Sequence, residues 1–328
     1  VRERPILIFR DGEGRVRNDL ALDQLEALLE SGEGSLWLDV DAEDDEEYRL
    51  LTDLFHFHPL AVEDVRSPEC RIKIGEYDGA LFIVVREAEF RTEQPGSYLL
   101  DTKNFYLFIG DRFIVTAHLG HSKTAAEIGR RFASGADLLA RGVDHLAYEI
   151  LDTLVDEYFP LLDQIDDFVD ELEDRIFHSR ETRLVEQIFE LKRALLLLRR
   201  QLAPMREVAM GLANRPSHYL RPETQVYLRG FYDHLVRQLE SVETYRELVA
   251  SVLEMNLMVL SNQVNEVMKA LSIIATVVLP PTLVASIYGM NFEHLPGTST
   301  PIGFWLALLA MALISGAFLY YLWRKRWL

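Results

Sequence analysis

Two charge-free runs near the end of this 328-residue chain constrain its fold more than any other feature. No charged residue occurs from Ala270 to Phe292, and none from His294 to Trp323. About 20 apolar residues cross a bilayer as a helix, so the runs predict two transmembrane helices, through 270–292 and 302–323, joined by a short link at 293–301. The chain carries 34 Lys and Arg against 52 Asp and Glu, a net charge of −18, yet residues 270–328 hold only Glu293, Arg324, Lys325 and Arg326. A strongly acidic body is therefore joined to an almost uncharged tail. That acidity argues against a nucleic-acid partner, which needs a positive surface, and suits a protein that meets cations.

Basic residues set the expected orientation. Lys269 precedes the first run, Arg324, Lys325 and Arg326 form a basic tail at 324–328, and the link has no Lys or Arg. Both termini are expected in the cytoplasm, with the link outside. Trp305, Tyr320, Tyr321, Trp323 and Trp327 suit the two interfaces as an aromatic belt. The N-terminal VRERPILIFR has too short an apolar run for a signal peptide. A single cysteine, Cys70, excludes an internal disulfide framework and a cysteine-based zinc site.

Arg221-Pro222-Glu223 has the signals of a helix start, and no proline interrupts the chain from there until Pro280. A helix from there through Tyr288 is ~100 Å long at 1.5 Å per residue, a stalk (221–269) running into the first span. One stripe on it is apolar, including Val249, Leu253, Leu257, Leu260, Leu271, Ile274 and Val278. A second alternates three- and four-residue steps through Glu254, Met258, Ser261, Asn265, Met268, Ser272, Ala275, Leu279, Thr282 and Ser286. Small and polar residues at that period mark a seam between parallel neighbours. Within a bilayer such a seam faces a bundle interior or water, or else lets helices pack closely. Two spans cannot enclose a pore, so a water-lined seam requires an oligomer. Pro280-Pro281 deprives the carbonyls of Thr276 and Val277 of their helical partners, leaving either polar oxygens along a path or a kink that neighbouring helices absorb.

The body divides into an α/β region, 1–135, and a helical hairpin, 136–220. Strand signals fall at 5–10, 35–40, 79–90, 97–110 and 112–118, and helical ones at 19–31, 44–56 and 122–134. A helix over 143–177, acidic on one face, is expected to pair with a basic helix over 181–213 across a turn at His178-Ser179-Arg180. The acidic run reads as a solvated face or as loose attraction for divalent cations. His56-x-His58 and His118-x-x-His121 lack the further ligands of a metal site and read as packing or capping residues. No glycine-rich phosphate loop, nucleophile elbow or zinc-protease motif is present, so no enzyme and no organic cofactor is expected.

Tyr288-Gly289-Met290-Asn291-Phe292 closes the first span. This resembles the CorA family of divalent-cation (magnesium/cobalt) transporters, whose signature is YGMNF followed by a second span and a basic end. HPLAVEDV (58–65), RIKIGEYDGALFIVV (71–85), FIVTAH (113–118), LVDEYFPLLDQIDDFVDELE (154–173), NEVMKALSIIAT (265–276) and WRKRWL (323–328) are similar to family segments in family order. The resemblance implies an α+β membrane protein: a cytosolic α/β funnel, a long helical hairpin and stalk, and two C-terminal transmembrane helices. It also implies a homopentameric channel in the cell (inner) membrane that takes up Mg²⁺, with Co²⁺ or Ni²⁺ possible cargo, driven by the membrane potential. Gly289, Met290 and Asn291 correspond to the selectivity filter. The resemblance further implies that Asn265, Ser272, Ala275, Thr282 and Ser286 line the pore, that Met268, Leu271 and Leu279 supply apolar constrictions, and that Glu254 forms an acidic ring at the inner mouth. Asp64 corresponds to one acid of a regulatory Mg²⁺ site between protomers. The stalk acid of that site is replaced by Gly230, with Asp233 close by at a different angle.

Mg²⁺ gives up its waters reluctantly. A ring of neutral Asn291 amides is suited to hold those waters without stripping them, and conduction needs weak successive sites. A zinc, cobalt or nickel transporter of the same superfamily, proton-coupled or not, is the alternative; softer metals call for His or Cys near the pore, where His294 is the one candidate. A membrane-anchored metal sensor or scaffold is the alternative from another class.

Overall fold

A computed structural model of the chain describes residues 6–327 apart from 19, 68, 78, 91–98, 179–182 and 291–300. It divides into two units, residues 1–253 and 254–328. In the first unit seven described strands form one sheet: β1 (Ile6–Arg10), β2 (Val16–Arg17), β3 (Ser35–Asp41), β4 (Lys73–Tyr77), β5 (Ala80–Phe90), β6 (Leu100–Ile109) and β7 (Phe113–His118). Their order is β2-β1-β3-β7-β6-β5-β4. Only the central pair, β3 with β7, runs parallel, in a register from Leu36 opposite Phe113 to Asp41 opposite His118.

Strands in the middle of this sheet are buried on both faces, so their sequences are nearly continuous in apolar residues rather than alternating. Leu36, Leu38 and Val40 of β3 join Phe82, Tyr106, Phe108 and Val115 in one core. Against it lie α1 (Leu25–Glu30), α2 (Asp45–Asp53) and α3 (Pro59–Arg66), which contribute Leu25, Leu51, Ala61, Val62 and Val65. Trp37 points to the other face and stacks on Phe132 of α4 (Lys123–Ala133), with ring centres 5.5 Å apart. Three of the short helices, α2, α3 and α4, start on side-chain caps, whereas α1 has none. Asp44 accepts from the N–H groups of Glu46 and Glu47. Ser122 accepts from that of Ala125, and His58 Nδ1 from that of Leu60.

The expected strands are present, but β2, β4 and α3 were not anticipated. The span 19–31 contains only a 3₁₀ turn, Leu22–Gln24, and α1. The helix expected over 143–177 is two helices, α5 (Val143–Asp156) and α6 (Tyr158–His178), parted at Glu157. Pro160 has no N–H to offer the carbonyl of Asp156, so the ladder is interrupted at that point. α7 (Arg183–Asn214) follows; the expected cap Ser179 lies outside the described residues. Arg199 of α7 pairs with Glu243 of α8 (Pro222–Tyr288).

α8 is 67 residues long and starts on Pro222, whose missing N–H costs nothing in a first turn. Its last part makes up the second unit with α9 (Pro301–Arg324). Both helices are long and apolar enough to cross a membrane.

Candidate functional site

Two places gather groups able to handle cations. The first is the end of α8. Half-buried positions recur there at Ile273, Val277, Pro280 and Val284, a spacing of three or four residues that defines one helix face. On that face Ser315 of α9 donates to the carbonyl of Val277 at 3.4 Å. About half a turn away lies the stripe of Asn265, Met268, Ser272, Leu279, Thr282 and Ser286, all exposed, with Ala275 half-buried and Leu271 beside it, also exposed. Glu254 is exposed where the second unit begins. The Thr282 hydroxyl donates its proton to the carbonyl of Val278 in its own helix at 2.8 Å, which leaves its oxygen lone pairs available along the stripe. Gly289 donates to Ala285 O at 2.9 Å and ends the helix. A Cβ at Gly289 would stand 3.2 Å from that same carbonyl, a tight contact that needs a shift of a few tenths of an ångström. Met290 follows, exposed; Asn291 lies outside the described residues.

The second place is in the first unit and was not foreseen from the sequence. Asp152 and Asp156, one turn apart on α5, meet His234 of α8, the ligand atoms of all three lying within 4.8 Å of one another. His234 Nδ1 is 3.6 Å from Asp152 Oδ1 and 3.6 Å from Asp156 Oδ1, too far for direct hydrogen bonds. Tyr148 donates to Asp152 Oδ2 at 3.1 Å. Burial, and next the negative charge of Asp156, raises the Asp152 carboxyl above the usual carboxylate range. Two repelling carboxylates and an imidazole nitrogen suit an N/O-bound divalent cation. The sequence signal was an i, i+4 acid pair within a run dense enough in acids to hide it; the histidine lies 78 residues beyond Asp156.

The residues expected at a regulatory site between protomers have the following surroundings within one chain. Lys73 Nζ at the start of β4 contacts the Asp64 carboxylate at 2.5 Å. Asp233 is exposed on α8 and is not a member of the cluster that its neighbour His234 joins. Gly230 is exposed, with no atom within 4 Å of where a Cβ would be, so it offers no ligand there. Among the histidines weighed from sequence, His58 caps α3 and stacks on Tyr77. His118 Nε2 sits 3.2 Å from Asp39 Oδ2 inside the sheet.

The model of one protein family, described as CorA-like Mg²⁺ transporter protein, matches residues 32–326. The chain belongs to the CorA family. Among CorA-family relatives it is 35% identical over 292 residues to a putative metal ion transporter, YfjQ, of Bacillus subtilis, covering 89% of each chain. It is 34% identical over 283 residues to the cobalt/magnesium transport protein CorA of Thermotoga maritima, covering 84% of this chain and 78% of the other. Its fold matches the complete CorA magnesium transporter structure from Methanocaldococcus jannaschii with a TM-score of 0.87 over the whole of both chains, at 21% identity. This CorA-family chain is thus a multi-pass membrane protein with a large cytosolic α+β domain and two apolar C-terminal helices. Membership of a family of transporters places it outside the enzymes.

Proposed function

We propose that the chain transports divalent cations, Mg²⁺ first, as a homopentameric channel in the cell membrane with both termini cytoplasmic. The observation that carries this reading is the uncharged part of the α8 stripe, from Asn265 to Ser286, on the face opposite the one that Ser315 of α9 meets. One chain offers that face no partner of its own among the described residues. Five copies placed around an axis give it one, and the stripe then lines a path. Membership of the CorA family supports the cargo and the assembly.

Cations enter past rings of Asn291, which holds hydrated Mg²⁺ through its water shell, with Gly289 and Met290 setting its angle. Thr282, Ser286, Ser272 and Ala275 continue the path, Leu279, Leu271 and Met268 narrow it by dewetting, and Asn265 and Glu254 receive the ion at the cytosolic end. The membrane potential supplies ~2.3 kcal/mol per charge per 100 mV, twice that for a divalent ion. Feedback by cytosolic Mg²⁺ acts through the acid–histidine cluster of Asp152, Asp156 and His234, because Lys73 holds Asp64 and Gly230 offers no carboxylate.

Cation flux into liposomes holding the purified full chain tests this. Mg²⁺ entry that follows an imposed potential, ignores a pH gradient and falls with Asn291→Ala is expected. Zn²⁺ entry that follows the pH gradient, with little Mg²⁺ flux, assigns the chain instead to the zinc-transporting reading. Mg²⁺ entry unchanged by Asn291→Ala overturns the filter.

A further inference from the structure

The double proline of α8 removes two backbone donors in succession. A helical carbonyl accepts from the N–H four residues on, so Pro280 strips the carbonyl of Thr276 and Pro281 that of Val277. Hydrocarbon has no water to replace the missing donor. For Val277 the replacement comes from the other helix, where Ser315 Oγ donates at 3.4 Å across 38 residues of sequence. That is long for a hydroxyl donor, but it serves a carbonyl that no backbone N–H of its own helix can reach at the usual i+4 position. The neighbouring hydroxyl, Thr282, is turned back to the carbonyl of Val278 on its own helix, so among the described side chains it is Ser315 whose hydrogen bond ties the break to α9.

The position of Val277 gives this bond a consequence for transport. Ala275 and Leu279 lie two residues either side of it, and Met268 and Ser286 nine residues either side. At ~100° per residue each is about half a turn round the helix. Ser315 therefore holds α9 to the back of α8, directly behind the stripe. We propose that Ser315 is a positioning residue of the transport path: it replaces the donor that Pro281 removes and fixes the rotation of the segment carrying Thr282 and Ser286 beyond the break. This rests on the pore reading above. Without the bond that segment turns about the proline pair, the rings widen unevenly, and discrimination between hydrated cations of different size falls.

The test uses the full chain, Ser315→Ala, Ser315→Thr, Pro281→Leu and the Pro281→Leu/Ser315→Ala double variant, in liposomes loaded under equal potential. The reading is the ratio of Mg²⁺ to Ca²⁺ flux, which loss of folded protein leaves unchanged because it scales both fluxes alike. Ser315→Ala lowers the ratio about threefold, the size expected of one interhelical hydrogen bond, and Ser315→Thr keeps it near that of the parent. In the Pro281→Leu background residue 281 regains its N–H, and Ser315→Ala then changes nothing. A ratio unaffected by Ser315→Ala, or lowered equally in both backgrounds, overturns the inference while leaving the channel reading intact. A parent chain that passes neither ion overturns the channel reading, and the inference with it.

Discussion

The Nζ of Lys73 lies 2.5 Å from Oδ2 of Asp64, so this carboxylate already has a cation from its own chain. Burial works to lower the Lys73 pKa, but the hydrogen bond and charge of Asp64 outweigh it and raise the value. The pair is held from behind as well, since Tyr106 donates its hydroxyl to the backbone carbonyl of Asp64 at 2.9 Å. A divalent ion must displace the ammonium before it can bind there. Lys73→Met is therefore expected to increase the rise in thermal midpoint that Mg²⁺ gives the full chain, by the linkage of ligand binding to unfolding. Identical Mg²⁺ titrations for Lys73→Met and the parent would show that Asp64 takes no ion even when released.

The cluster on α5 and α8 predicts the converse. Asp152→Asn takes the charge from one ligand and His234→Ala removes another outright, a loss at least as large as the tenfold or so that follows from disturbing a group that only orients a ligand. The Mg²⁺ concentration giving half-maximal thermal protection is expected to rise by about tenfold or more in either variant. Asp64→Asn, measured alongside, leaves it close to that of the parent. Protection that is lost only with Asp64→Asn would put the site back where the family resemblance first suggested.

Where α8 begins, Asp144 accepts from the Arg221 side chain and from Thr224 Oγ1, the latter at 2.6 Å. Burial pushes the Asp144 carboxyl up, yet these hydrogen bonds outweigh it and hold it below the usual carboxylate range. A carboxylate with a lowered folded pKa contributes its full stability above the unfolded value, near 4, and loses it as pH falls through the folded one. Asp144→Asn is expected to cost about 2 kcal/mol at pH 7 and to flatten the acid limb of the stability profile below pH 4. Thermal midpoints from pH 7 to pH 3 check both; parallel curves for variant and parent would mean that Asp144 does not carry this linkage.

Inside the sheet, Trp37 Nε1 donates to Thr116 Oγ1 at 3.0 Å, and Thr116 donates on to Asp39 Oδ1 at 2.5 Å. Thr116→Val keeps the shape and deletes the relay, taking one partner from a buried indole N–H and one from a buried carboxylate. A cost of about 1–3 kcal/mol follows, read as a lower thermal midpoint. No change in midpoint would mean that water or another group replaces the hydroxyl.

The spans, the stripe on α8 and the family signature were legible because each is written along one dimension. A charge-free run of more than 20 residues has few ways to satisfy its backbone except as a membrane helix, and a helical period places Asn265, Thr282 and Ser286 on one face whatever surrounds them. The strands of the sheet interior were legible for a similar reason, their runs of apolar residues requiring burial on both faces. β4 escaped because, among the described strands, it is an edge strand paired to β5 alone, with a glycine and two charged residues. α3 escaped because it is eight residues long, too short for periodicity to show.

Tertiary structure alone decided which distant groups meet. Asp152 and His234 are joined by the packing of α5 against α8, Asp64 and Lys73 by the turn from α3 into β4, and Val277 and Ser315 by the return of α9 along α8. Side-chain hydrogen bonds and ion pairs act over a few ångströms, and no local pattern of hydrophobicity records which partner will arrive within that distance. The sequence by itself thus determined that this chain crosses a membrane and which residues share each face of its long helix. The fold decided which carboxylate meets a lysine, which meet a histidine, and which serine stands behind the proline break.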